Sequence, residues 1–212
     1  MQTHRTRVKI CGITRPEDGL AAARAGADAI GLVFYPPSAR YVDTETARGI
    51  VDLLPPFVST VGLFVNADRS WIRQVLSQVP LHLLQFHGDE EPGDCSAFGL
   101  PYLKAVPMRT QPDIALFSQR FKSAAGLLLD NFGGARIGGS GERFDWTLIP
   151  AQVHQPLILA GGLDCDNVTE AVRRYRPFAV DVSSGVESAK GIKDPTLITN
   201  FIQAVAEGDN CV

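Results

Sequence analysis

The chain has 212 residues, 45% of them hydrophobic, and a net charge of −3. That length fills one good core or two small ones. The absence of a basic block disfavours a nucleic-acid partner, and no apolar run approaches the ~20 residues that span a membrane. Met1 to Ile10 are polar and basic and lead directly into a strand, unlike a signal peptide. Cys11, Cys95, Cys165 and Cys211 show neither CxxC nor zinc spacing. A reducing cytoplasm and no metal are the expectation.

Apolar strand-like runs alternate with amphipathic helical runs throughout. Val8–Cys11 reads as the first strand. Pro16–Ala25 is its helix, with Pro16 suited to the first turn and Gly26 to the stop. Ala29–Phe34 is the second strand, followed by a proline-containing loop to Val42 and a helix over Asp43–Leu53. Val58–Val65 is the third strand, and Asn66 or Asp68 is placed to cap the helix running to Val79. Leu81–Phe86 is the fourth, with a short helix near Glu90–Phe98. Tyr102–Val106 is the fifth, with a helix over Pro112–Phe121. Gly126–Leu129 is the sixth, ending at Asp130. A glycine-rich loop, Asn131–Phe144, and a short helix over Trp146–Ala151 follow. Pro156–Ala160 and Asn167–Tyr175 form the seventh unit, Phe178–Val182 and Pro195–Ala206 the eighth.

Eight such units with no linker predict one domain over residues 1–212. Continuous apolar strands imply burial on both faces, and right-handed crossovers favour closure into a (βα)8 TIM barrel. An open doubly wound sheet is the competing architecture.

Ligands in parallel α/β proteins bind at the C-terminal ends of the strands. Gly161 and Gly162 follow the seventh strand; Ser183, Ser184 and Gly185 follow the eighth. Either these are tight turns that need glycine, or their backbone N–H groups cradle a phosphate, as loops seven and eight of such barrels do. No P-loop or GxGxxG is present, which disfavours a nucleotide. Cys11 is either a small core residue or a thiol at the mouth of the first strand. Alternation puts Lys9 on the same face as Cys11, one layer deeper. A buried ammonium needs a partner, and Asp181 on the eighth strand is the candidate. Asp130 either caps a turn or faces Cys11 across the cavity, where thiol and carboxyl would be a base and an acid for a sugar phosphate. Arg40 is a solvated loop arginine or a fork for a carboxylate. His87 contacts a ligand or closes a turn.

Together these stretches resemble the phosphoribosylanthranilate isomerase family. The likeness rests on KICGIT at Lys9–Thr14, GADAIGLVF at Gly26–Phe34, the loop to Arg40, VGLFVN at Val61–Asn66 and LQFHGDE at Leu84–Glu90. It continues through LLLD at Leu127–Asp130, GGSGERFDW at Gly138–Trp146, LAGGL at Leu159–Leu163 and DVSSGVE at Asp181–Glu187. It implies a barrel that needs no cofactor, a phosphorylated aminosugar substrate, Cys11 as general base and Asp130 as general acid. Arg40 would bind the anthranilate carboxylate, and Gly161, Gly162, Ser183, Ser184 and Gly185 would line the phosphate site. His87 and Asp181 join the substrate-facing set. The implied reaction is an Amadori rearrangement, for which the Cys11 pKa should fall toward 7 and that of Asp130 should rise. The loop of Gly139-Ser140-Gly141 carries serine where the family pattern leads one to expect threonine. A histidine-pathway isomerase would carry aspartate at Cys11, and a purely phosphate-binding barrel would need neither Cys11 nor Asp130. Nothing marks a large apolar patch, so a monomer is expected.

Overall fold

The computed structural model describes residues 5–132, 144–150 and 153–210. Eight parallel strands close into a barrel in chain order, β1 (Arg7–Cys11), β2 (Ala29–Val33), β3 (Ser59–Phe64), β4 (Leu83–Phe86), β5 (Tyr102–Pro107), β6 (Gly126–Asp130), β7 (Leu157–Leu159) and β8 (Ala179–Val182). β8 pairs with β1 and completes the ring. Closure removes both sheet edges, which is what distinguishes it from the open-sheet alternative. Seven helices accompany the strands: α1 (Pro16–Ala25), α2 (Thr44–Asp52), α3 (Arg69–Gln78), α4 (Pro92–Cys95), α5 (Ile114–Arg120), α6 (Val168–Tyr175) and α7 (Pro195–Asn210). No helix among the described residues is long and apolar enough to cross a membrane.

Local chemistry explains the boundaries. Pro16 opens α1, where its missing N–H costs nothing. Gly26 closes it in the left-handed region at φ 100°, donating its N–H back to Ala22 and Ala23. Asp43 caps α2 by accepting from the Thr46 N–H at 2.7 Å. The expected cap of α3 is different. Asp68 holds the N-cap position without a side-chain bond, and Asn66 instead accepts from the Asp89 N–H at 2.7 Å, tying the loop after β3 to the loop after β4. α4 is shorter than the sequence suggests because Pro92 starts it and Glu90 is engaged elsewhere. Trp146–Leu148 forms a single 3₁₀ turn. The expectations for the segment 133–143, for Ala151 and for Cys211 fall outside the described residues.

The sequence reading missed a small antiparallel hairpin after β8, β9 (Glu187–Ala189) and β10 (Ile192–Lys193). Its strands are too short to show a period. Its turn glycine, Gly191, sits at φ 78°. Thr14 of the loop after β1 donates to the Gly191 carbonyl. A β-carbon on Gly191 would come within 3.0 Å of the Ala39 carbonyl. The hairpin is thereby strapped across the loops that follow β1 and β2.

Side-chain alternation sorts the interior from the outer shell. Val8 and Ile10 pack with helix residues such as Ala22 and Phe201 in the layer outside the barrel. Cys11 clusters with Val33, Leu63 and Val65 in its upper interior. Leu103, Leu128, Ile158 and Ala179 fill the interior further round. Among the described residues the interior is packed below, and a cavity opens at the C-terminal ends of the strands.

Candidate active site

A cavity of about 500 Å³ opens at that end. Cys11, Arg40, His87, Asp130, Asp181 and Ser183 all line it. These six were singled out from sequence, and the closed ring brings them to one place from the ends of β1, β4, β6 and β8 and from the loop after β2.

Cys11 has room because its neighbour in β2 has no side chain. The register pairs Cys11 with Gly31, and a β-carbon there would stand 2.7 Å from the Cys11 sulfur. Glycine inside a strand signals such close approach. Gly31 lies in one of the quoted motifs, yet its role was not read from them. Below the thiol, Lys9 donates to Asp181 at 2.7 Å, with both side chains almost wholly shielded from solvent. The expected ion pair is therefore present. Burial alone would lower the Lys9 pKa, but Asp181 and the Cys11 sulfur hold it above its ordinary value.

The Cys11 pKa contradicts the expectation of a fall. Burial pushes it above the ordinary thiol value, outweighing the pull of Lys9 and helped by the negative charge of Asp181. Asp181, the counter-ion of Lys9, offsets part of that pull. Only the thiolate is alkylated. Inactivation by iodoacetamide should accordingly be slow at pH 7, rise tenfold per pH unit, and still be climbing at about pH 9, beyond an ordinary thiol. Levelling below that pH would show that Lys9 dominates.

Asp130 ends β6. Its carboxylate oxygen Oδ2 lies 3.2 Å from His87 Nε2, and a β-carbon on Gly161 would meet Oδ1 at 2.8 Å. His87 thus borders the carboxyl. Its Nδ1 lies 3.0 Å from Gln85 Nε2, and its ring packs on Phe132 at 4.3 Å between centroids. The loop carrying His87 is pinned from outside the barrel. Buried Lys104 of β5 donates to the Gly88 carbonyl at 2.6 Å and to Glu90 at 3.0 Å.

Gly161 and Gly162 adopt consecutive left-handed conformations, at φ 75° and 72°. Positive φ at two successive positions is backbone that glycine adopts without steric cost. Ser184–Val186 forms a 3₁₀ turn directly after Ser183. A β-carbon on Gly185 would collide with the Leu163 carbonyl, so the loops after β7 and β8 are in contact. Of the predicted phosphate residues Ser183 lines the cavity, whereas Gly161, Gly162, Ser184 and Gly185 lie in the two loops without being part of its lining.

Arg40 is not solvated. Its Nε and Nη2 donate to the two oxygens of Glu187 at 2.7 and 2.8 Å. Glu187 ends a quoted motif but was given no role from sequence. Lys190, at the hairpin turn, is a further cation lining the cavity that sequence reasoning passed over.

The family model for N-(5'-phosphoribosyl)anthranilate (PRA) isomerase matches residues 8–204. The chain belongs to this isomerase family. The N-(5'-phosphoribosyl)anthranilate isomerase of Pseudomonas putida strain F1 is 56% identical over 201 residues, which are 95% of this chain and 98% of that protein. Among solved structures, a phosphoribosyl anthranilate isomerase in complex with reduced 1-(o-carboxyphenylamino)-1-deoxyribulose 5-phosphate superposes with a TM-score of 0.81 at 40% identity, over 95% of this chain and 98% of that one. Monomers generated from the dimeric Thermotoga maritima member of the family superpose with a TM-score of 0.83, again at 40% identity, with 95% and 98% covered.

Proposed function

We infer that this chain performs the family's reaction in tryptophan biosynthesis, isomerising N-(5'-phosphoribosyl)anthranilate, with Cys11 and Asp130 as the pair that moves the protons. The observation that carries the assignment is their common cavity: a thiol ending β1 and a carboxyl ending β6 line the same opening. Barrel enzymes draw catalytic groups from the C-terminal ends of several strands.

Asp130 protonates the ribose ring oxygen, and the C1'–O bond breaks to leave an iminium between C1' and the anthranilate nitrogen. The Cys11 thiolate takes the proton from C2', and that electron pair flows to the iminium to give an enolamine. Tautomerisation, with loss of the C2' hydroxyl proton and protonation at C1', yields 1-(2-carboxyphenylamino)-1-deoxyribulose 5-phosphate. The thiol then releases its proton and Asp130 regains one, so the cycle closes without any other reagent. A thiolate whose pKa is raised is the stronger base once formed.

The substrate's phosphate sits on the backbone N–H groups of Gly161 and Gly162 and on Ser183, Ser184 and Gly185, a placement supported by the contact between the loops after β7 and β8. Its carboxylate meets Arg40. His87 and Asp181 face the substrate from the cavity wall. The whole chain acts as one catalytic unit in the cytoplasm, a reading supported by the free thiols of Cys11, Cys95 and Cys165. We take it to act as a monomer: among the described residues, Leu53 and Phe57 share the connection after α2, while the other exposed large apolar side chains, Leu116, Leu148, Phe178 and Ile192, come from separate segments.

The direct test follows the fluorescence of freshly prepared phosphoribosylanthranilate while indole-glycerol-phosphate synthase drains the product. Rapid protein-dependent loss of signal is expected. No acceleration, with phosphate compounds still binding, would reduce the protein to a phosphate-binding barrel.

A further inference from the structure

We infer that Glu187 is a positioning residue that presets Arg40 to receive a carboxylate ligand; this deepens the reading of Arg40 given above and rests on it. Arginine offers five N–H donors in a rigid fork. Glu187 takes the edge formed by Nε and Nη2. The end formed by Nη1 and the second Nη2 hydrogen is left for a ligand, and Arg40 lines the cavity. A guanidinium held along one edge keeps its plane, so of the three donors that remain, the pair at the free end is oriented before the ligand arrives.

Glu187 is itself anchored. Its Oε1 also accepts from Lys193 Nζ at 2.9 Å, and that ammonium donates to the Ser183 carbonyl at 3.0 Å and lies 3.3 Å from the Ser183 hydroxyl. The Lys193 side chain is 0% exposed and that of Glu187 5%. The carboxylate therefore cannot follow Arg40 if the arginine swings away. Burial alone would raise the Glu187 pKa, but Arg40 and Lys193 hold it below the ordinary range, so it remains an anion. Gly12 lets the stem of Arg40 pass: at φ 74°, a β-carbon there would stand 2.5 Å from Arg40 Cδ. The group of two cations and one anion keeps one net positive charge for an anionic ligand. It also ties the carboxylate clamp to Ser183.

The test titrates wild type, Glu187→Gln and Glu187→Asp calorimetrically with two probes. One is reduced 1-(2-carboxyphenylamino)-1-deoxyribulose 5-phosphate; the other is the same compound without its ring carboxylate. Glu187→Gln should weaken the carboxylate-bearing probe about tenfold or more and the other by less than about twofold. Glu187→Asp keeps the charge beside Lys193 but is one methylene too short for both Arg40 bonds. It should show a smaller loss with the same selectivity. Equal losses on both probes, no loss on either, or failure of both variants to fold would assign Glu187 a structural role and overturn the inference. Wild type binding both probes equally would instead remove the reading of Arg40, and this inference with it.

Discussion

Asp130→Asn should lower kcat by about a hundred- to ten-thousand-fold, the range for losing a general acid, which corresponds to roughly 3–5 kcal/mol of barrier. The substitution keeps shape and takes away the proton that we propose opens the ribose ring. Phosphate binding should change little, because the N–H groups of Gly161 and Gly162 and the hydroxyls of Ser183 and Ser184 do not depend on that proton. Gly161 crowds Asp130 Oδ1, so an amide of equal size still fits. Cys11→Ala should produce a comparable loss. The two losses should not add when combined, since acid and base act in one sequence of proton transfers. Steady-state kinetics beside calorimetric titration with inorganic phosphate separates the effects. Equal loss of turnover and phosphate affinity in either variant would show a collapsed site rather than a missing proton carrier.

Asp181→Asn should destabilise the protein by about 3–5 kcal/mol, because it strands the Lys9 ammonium in the barrel interior without its counter-charge. For a chain of this size that corresponds to a fall in Tm of very roughly 6–20 °C. The large effect measures an orphaned charge, not the strength of the pair. Replacing both members with apolar side chains of similar volume, Lys9→Met with Asp181→Leu, should therefore recover most of the lost stability. Calorimetric melting of the single and double variants decides this. A double variant no more stable than Asp181→Asn would mean that the interior needs the ion pair for packing as well as for charge balance.

The barrel was legible because its signals are local and periodic. Pro16 and Gly26 mark the ends of α1 by backbone chemistry that holds in any context. Alternation along Lys9-Ile10-Cys11 put the ammonium and the thiol on one face, and closure of β8 onto β1 in register supplied Asp181 opposite Lys9. The hairpin of β9 and β10 left no trace, since five residues in two pieces cannot show a period. Asn66 reads as a helix cap, yet it bonds to a loop 23 residues away, a choice that tertiary proximity makes.

The sequence by itself determined the order and number of strand–helix units, the residues that could carry acid, base and anion binding, and the family resemblance. Those properties follow from side-chain chemistry and spacing along one chain. Only the tertiary structure decided how the charges are distributed. It gave Arg40 to Glu187 across 147 positions and raised the Cys11 thiol by burying it, against the pull of Lys9. Ion pairing and desolvation depend on which groups meet inside the closed barrel, and no spacing along the chain encodes that directly.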